Sequence, residues 1–98
     1  MNVAQTILSQ LGGNKFTVMT GAKNFMSDGA ALQFKLPANF AAKKINFVRI
    51  ILDPSDTYTM KFFNFRGLNL KEVETISGVY YDQLKPIFTE VTGLDCSL

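Results

Sequence analysis

Histidine and tryptophan are absent from this sequence of 98 residues, and cysteine occurs once, as Cys96. Without an imidazole, histidine general bases and Ser-His-Asp or Cys-His nucleophilic sites are excluded. A zinc centre of the cysteine and histidine type is excluded as well, and a single cysteine cannot form a disulfide within the chain. The neighbouring Asp95 disfavours a thiolate, so we expect Cys96 to be an unreactive thiol in a reducing compartment.

Long apolar runs are also missing from the sequence. Lys, Arg, Asp or Asn interrupts every apolar stretch within about ten residues, well short of the ~20 residues that span a bilayer. The N-terminal residues lack the basic region and the continuous apolar segment of a secretory signal. We therefore expect a cytoplasmic protein that neither enters a membrane nor binds one.

Three short motifs suggest chemistry, and each is better explained as structure. The block Thr20-Gly21-Ala22-Lys23-Asn24 has a glycine and a lysine, but it lacks the second glycine and the following helix of a phosphate loop. Asp53 and Asp56 lack the spacing of a calcium loop and favour a turn. Glu72 and Glu74 alternate along a predicted strand, where they form a polar face. We expect no catalytic residue, no metal and no cofactor, and the protein is predicted not to be an enzyme.

The composition is typical of one compact domain covering residues 1–98, with 47% apolar and 18% charged residues. The chain contains nine phenylalanines. Most of them must be used for packing, because a domain of this size buries only about 60 to 65% of the surface of its unfolded chain.

Hydrophobic periodicity predicts a helix at each end of the chain. Apolar residues recur at helical spacing from Val3 to Leu11, and Gly12-Gly13 ends this first helix. A C-terminal helix is predicted to open at Ser77-Gly78 and to end at Gly93. Pro86 should either bend that helix or move its start to a later residue.

The chain between the two helices predicts five strands, since β-branched and aromatic residues alternate with polar ones and turn residues separate them. The predicted strands cover residues 16–20, 32–36, 45–52, 57–66 and 68–76, and residues 20–29 are interpreted as a loop. The predicted fold class is α+β, a meandering antiparallel sheet of four to five strands with the N-terminal and C-terminal helices packed on it. An open sheet and a barrel remain alternatives.

The third and fourth predicted strands carry apolar residues on both faces. Phe62 and Phe63 are adjacent and Phe65 keeps the phase of Phe63, so either both faces are covered or a bulge shifts the register near Phe62. If the helices cover only one face, an apolar patch stays exposed on the other and is a candidate protein interface. Its residues are Phe47, Ile51, Phe63 and Phe65.

Tyr80 and Tyr81 provide another candidate contact. Adjacent residues of a helix point about 100° apart, so one ring can pack while the other stays exposed. We take Tyr81 as a further interface candidate, because exposed tyrosines commonly anchor interfaces. The alternative is that both rings pack on the sheet with their hydroxyls at its rim.

Charge is distributed unevenly along the sequence. Residues 1–71 contain nine bases and three acids, a net charge of +6, whereas residues 72–98 contain one base and five acids, a net charge of −4. One interpretation is a basic surface within residues 15–71 that binds nucleic acid, with Lys43, Lys44, Arg49 and Arg66 as candidate contacts. The other is that the two regions are solvated, or attract each other within the fold or between subunits.

Five blocks of the sequence are familiar in combination. They are Thr6-Ile7-Leu8, residues 10–16, residues 19–25, residues 52–59, and Gly78-Val79-Tyr80 with Thr92-Gly93-Leu94. With these blocks the sequence resembles, over nearly its whole length, a family of small uncharacterised proteins encoded by bacteriophages and integrated mobile elements. The resemblance implies a bacterial cytoplasmic setting and supplies no activity, ligand or site residue.

Two functional hypotheses follow. The first is a non-enzymatic interaction module of a phage or mobile element that binds a protein partner, and that could also form a homodimer through an exposed sheet face or edge. The second is a nucleic-acid-binding protein that uses the basic surface of residues 15–71.

Overall fold

The structure, a computed structural model, describes residues 3–37 and 44–94. Its elements, in chain order, are α1 (Val3–Leu11), α2 (Asn14–Thr20), β1 (Lys23–Asp28), β2 (Ala31–Lys35), β3 (Phe47–Leu52), β4 (Tyr58–Arg66), β5 (Asn69–Val79), a 3₁₀ turn (Tyr81–Gln83) and α3 (Leu84–Thr92). The five strands form one antiparallel sheet in which each strand pairs with the next in sequence. This arrangement confirms the predicted α+β class and the meander, and the sheet is open rather than closed into a barrel.

The helices pack on one face of the sheet and enclose the core there. Phe16 of α2, Phe34 of β2, Phe62 of β4 and Phe88 of α3 are fully buried in this core. Phe16 packs edge to face against both Phe34 and Phe88, with ring centroids 5.4 and 5.1 Å apart. Aromatic pairs favour this geometry, so one interlocked group joins two helices to the sheet.

The strand predicted at residues 16–20 is wrong, because these residues belong to α2. Only one side of this short helix is buried, at Phe16 and Thr20, which are four residues apart. The Thr20 hydroxyl donates a hydrogen bond of 2.7 Å to the carbonyl of Phe16. Gly21 then caps the helix in the left-handed conformation, with φ of 72°. The β-branched composition misled the prediction, since local propensity gives way to tertiary packing.

The loop predicted at residues 20–29 is also wrong, because it contains β1. Asn24 has a positive φ of 58°, and the register with β2 shifts by one residue between Lys23 and Met26. This irregularity hides the strand from a period-two pattern. Phe25 packs against the core, whereas Met26 is exposed.

The C-terminal helix starts later than Ser77-Gly78, since β5 continues through both residues to Val79. Pro86 is the third residue of α3, within the first turn, where its missing N–H costs no helical hydrogen bond. The expected shift of the helix start is therefore confirmed. Gly93 ends the helix as predicted, with a left-handed φ of 75°.

The predicted bulge near Phe62 is present, and the extra residue lies on β5. Phe62 pairs with Glu74 and Phe63 pairs with Glu72, which leaves Val73 opposite no residue of β4. Glu72 and Glu74 therefore lie on opposite faces of the sheet, and the prediction of a shared polar face is wrong. A second irregularity near Gly78, whose φ is 70°, shifts the same strand again.

Candidate binding surface

The face of the sheet turned away from the helices, called the open face below, is organised in rows of paired residues. Residues that pair across antiparallel strands point to the same side, so the register defines each row. One row runs Lys35, Phe47, Phe63, Glu72 from β2 to β5, and the next runs Gln33, Arg49, Lys61, Thr75. A third row holds Ala31, Ile51 and Thr59.

Three phenylalanines cluster at one end of the open face and are called the ring cluster. Phe47 lies 5.9 Å from Phe63 in an edge-to-face arrangement and 6.2 Å from Phe65 in a stacked one. Phe47 and Phe63 are half-buried and Phe65 is 38% exposed. None of the helices within residues 3–37 and 44–94 covers this face, so the cluster is an exposed aromatic patch of the kind that contacts a partner.

Cations interleave with the ring cluster. The ammonium nitrogen of Lys35 lies 5.5 Å from the centroid of the Phe65 ring, within cation–π range. In the neighbouring row Arg49 donates a hydrogen bond of 2.7 Å to Gln33, which fixes the guanidinium on this face, and Lys61 lies beside it in register. Glu72 also faces this side, and its carboxylate accepts a hydrogen bond of 2.6 Å from Thr75.

The β4–β5 hairpin extends the open face beyond Phe47, the first residue of β3. Its outermost part, residues 64–71, is called the hairpin end. Gly67 occupies the turn with φ of 55°, and Leu68 beside it is fully exposed. Arg66 and Lys71 are exposed on the two strands, in the phase opposite to Phe65, so they point away from the open face.

Two asparagines attach the hairpin end to the rest of the chain. The amide of Asn46 donates to the carbonyl of Phe65 at 2.8 Å and accepts from the Phe65 N–H at 2.6 Å. Asn64 donates to the carbonyl of Lys44 at 2.8 Å. Lys44 has a positive φ of 58° and is exposed. These bonds bring Lys44 next to the hairpin end.

The sequence-predicted residues thus fall into separate groups. Phe47, Phe63 and Phe65 come together in the ring cluster. Ile51 shares their face, but the Arg49 and Lys61 row separates it from them.

The structure separates the other candidates further. Tyr81 lies in the 3₁₀ turn beside α3 and α1, away from the open face, and lines a cavity with Gln10, Asp82 and Lys85. Tyr80 and Tyr81 are both exposed, so the alternative in which both rings pack on the sheet is wrong. Lys43 lies outside the described residues, as does Cys96.

The sequence asymmetry in charge becomes a partial spatial one, because Glu72 also faces the open side, and Lys15 and Lys85 belong to the helices. Lys35, Arg49 and Lys61 lie on the open face, and Lys44, Arg66 and Lys71 lie at or beside the hairpin end. The acids Asp82 and Glu90 belong to the 3₁₀ turn and α3, on the helical side, and Glu74 and Glu90 line a groove there. Sequence reasoning missed Lys35 and Lys61 as site residues, although their alternation with apolar neighbours was the available signal.

The acidic residues in the part of the chain that the structure describes are dispersed. No three carboxylates or thiols there lie close enough to hold a metal ion. Tyr58 is buried, and its hydroxyl donates to the side-chain oxygen of Gln10 at 2.8 Å. Burial raises the pKa of Tyr58, and the negative charge of Asp56 acts in the same direction. This phenol therefore stays protonated at neutral pH and serves the core.

Searches against protein-family models, curated proteins and solved structures find no match to this chain. Within residues 3–37 and 44–94, none of the helices has the length and apolar character needed to cross a bilayer.

Proposed function

We propose that this protein is a non-enzymatic binding module that holds an anionic macromolecule on its open face and hairpin end. The observation that carries the proposal is the ring cluster with Lys35 in its own row and Arg49 and Lys61 in the adjacent row. Apolar rings supply contact area, and cations beside them select a partner of opposite charge.

A second copy of the chain fits this surface poorly. A two-fold dimer formed face to face about an axis parallel to the strands would bring the Arg49 and Lys61 row of one copy against the same row of the other, and like charges repel. Pairing through the β5 edge is disfavoured too, because two bulges disrupt the regular hydrogen-bonding edge that an added strand needs. The geometry favours a partner of different composition, such as a protein with an acidic surface or a nucleic acid.

The resemblance to proteins of bacteriophages and mobile elements supports a bacterial cytoplasmic setting for this binding. Small proteins of that origin without catalytic residues often act by binding and modulating a host component. This step is an analogy, and the binding surface stands independently of it.

Heparin, a generic polyanion, provides the test. The variant Lys35→Gln/Lys61→Gln removes two charges from the open face, and Lys15→Gln/Lys85→Gln removes two charges from the helices, so the two variants have equal net charge. We expect the open-face variant to elute from a heparin column at clearly lower salt than the control variant. Equal elution of the two variants would contradict the proposal, because net charge alone would then account for retention.

A further inference from the structure

We infer that the open face binds single-stranded nucleic acid, with bases against the ring cluster and phosphates beside the cations of the neighbouring rows. This inference rests on the binding function proposed above and names the class of its partner.

The ring cluster provides the first step. Strands of the same sheet hold the rings of Phe63 and Phe65 at 5.9 and 6.2 Å from the ring of Phe47. Bases stack on aromatic side chains without regard to sequence, because every base has a π-face. The part of the Phe65 ring nearest Lys35 is covered by a flexible side chain, which can turn to a phosphate when a base takes its place.

The cations provide the second step. Successive rows on one side of a strand are two residues, or about 6.6 Å, apart. A chain crossing the face therefore meets the Phe47 and Phe63 row and then the Arg49 and Lys61 row. Beyond the ring cluster, Lys44 lies next to the hairpin end, whereas Arg66 and Lys71 lie on the other side of the hairpin, in the phase opposite to Phe65. The open face itself alternates the ring row with the Arg49 and Lys61 row. This alternation of rings and charges matches a polymer that alternates bases and phosphates.

The shape of the surface favours a single strand over a duplex. The helices lie on the opposite side of the sheet, so none of α1, α2 and α3 can enter a major groove while the open face is in contact. A duplex keeps its bases stacked inside and would leave the ring cluster without partners. An acidic protein would satisfy the cations but offers no regular array of planar groups for the rings.

Fluorescence anisotropy with a labelled oligothymidylate of 15 nucleotides tests the inference. We expect binding at low salt. A plot of the logarithm of the binding constant against the logarithm of the salt concentration should have a negative slope of about 0.7 for each phosphate contact. The variant Lys35→Gln/Lys61→Gln should reduce that slope by about 1.4, and the helix variant Lys15→Gln/Lys85→Gln should leave it unchanged. Phe65→Leu, which keeps an apolar side chain but removes the ring, should weaken binding roughly 5- to 100-fold.

Each contrary outcome would contradict a different part of the inference. Equal affinity of the wild type and Phe65→Leu would overturn base stacking, and tighter binding to a duplex of the same length would overturn the single-strand choice. If heparin retention depends on the open face but the oligonucleotide does not bind, this inference fails and the proposed binding function stands. Nuclease-resistant capture of an acidic protein by the wild type, lost in the open-face variant, would also replace nucleic acid as the partner. Failure of both assays would remove both proposals.

Discussion

The two faces of the sheet both carry phenylalanine, yet they differ in what lies between the rings. On the covered face, Phe34 and Phe62 are fully buried and contact Phe16 and Phe88 from the helices. On the open face, the ring cluster has Lys35 over one ring and Arg49 and Lys61 in the adjacent row. The number of apolar residues therefore does not distinguish the face that forms the core from the face that forms the surface. The cations between the rings do distinguish them.

The largest expected difference in the free energy of unfolding is between variants that remove a ring from the covered face and variants that remove one from the open face. Phe88→Ala should lower the free energy of unfolding by about 3 to 5 kcal/mol, because it opens a cavity among Phe16, Phe34 and Phe62. Phe63→Ala should cost about 1 kcal/mol, since that ring is only half-buried and solvent can fill its place. Urea unfolding measures both values.

A loss of 5 kcal/mol could leave the Phe88→Ala variant unfolded, so Phe88→Leu serves as a milder variant that keeps the comparison measurable. Similar losses for Phe88→Leu and Phe63→Leu would break the distinction between the two faces. The open face would then be part of the core rather than a surface available to a partner.

A smaller loss of stability is expected when the contact between Asn46 and the hairpin end is removed. Asn46→Ala removes both hydrogen bonds to the backbone of Phe65 and should cost about 1 to 2 kcal/mol. Hydrogen exchange at the Phe65 amide should become faster while the amides of Val48 and Ile50 in the covered core keep their protection. Asn64→Ala, which loses one bond to Lys44, is the control and should have the weaker effect. Unchanged exchange at Phe65 in Asn46→Ala would show that the hairpin end holds its position without this side chain.

The covered face was the easier of the two to predict from the sequence. Leu32, Phe34 and Leu36 alternate with polar residues, and the structure buries all three, because a single wet face imposes period two. The register of β5 was harder, since the bulge at Val73 follows no residue pattern and moves Glu72 and Glu74 to opposite faces.

The candidate site could be predicted only in part, because it depends on pairing between strands. The phase of Phe63 and Phe65 was visible along β4, and Phe47 was placed with them. The position of Lys35 over Phe65 requires the register of three strands, which one sequence does not specify. Lys35 and Lys61 could therefore be assigned to the site only from the structure.

The smallest effect concerns Tyr58 at the edge of the covered core. Replacing it with phenylalanine removes the hydrogen bond to Gln10 and should lower stability at neutral pH by about 1 kcal/mol. Because burial raises the pKa of Tyr58 in the folded state, the phenol stabilises the fold fully below the unfolded pKa of about 10. Above that pH the unfolded chain releases its proton first, so this contribution is lost as the pH rises through the folded pKa.

The gap in stability between wild type and Tyr58→Phe should therefore narrow as the pH rises above the unfolded pKa of about 10, as measured by urea unfolding at a series of pH values. Other lysines and tyrosines titrate there too, but they are present in both proteins and cancel in the difference. A gap that stays constant with pH would mean that Tyr58 meets solvent as freely in the folded chain as in the unfolded one. Solvent would then reach the core beside Gln10, and the covered face would differ less from the open face than we infer.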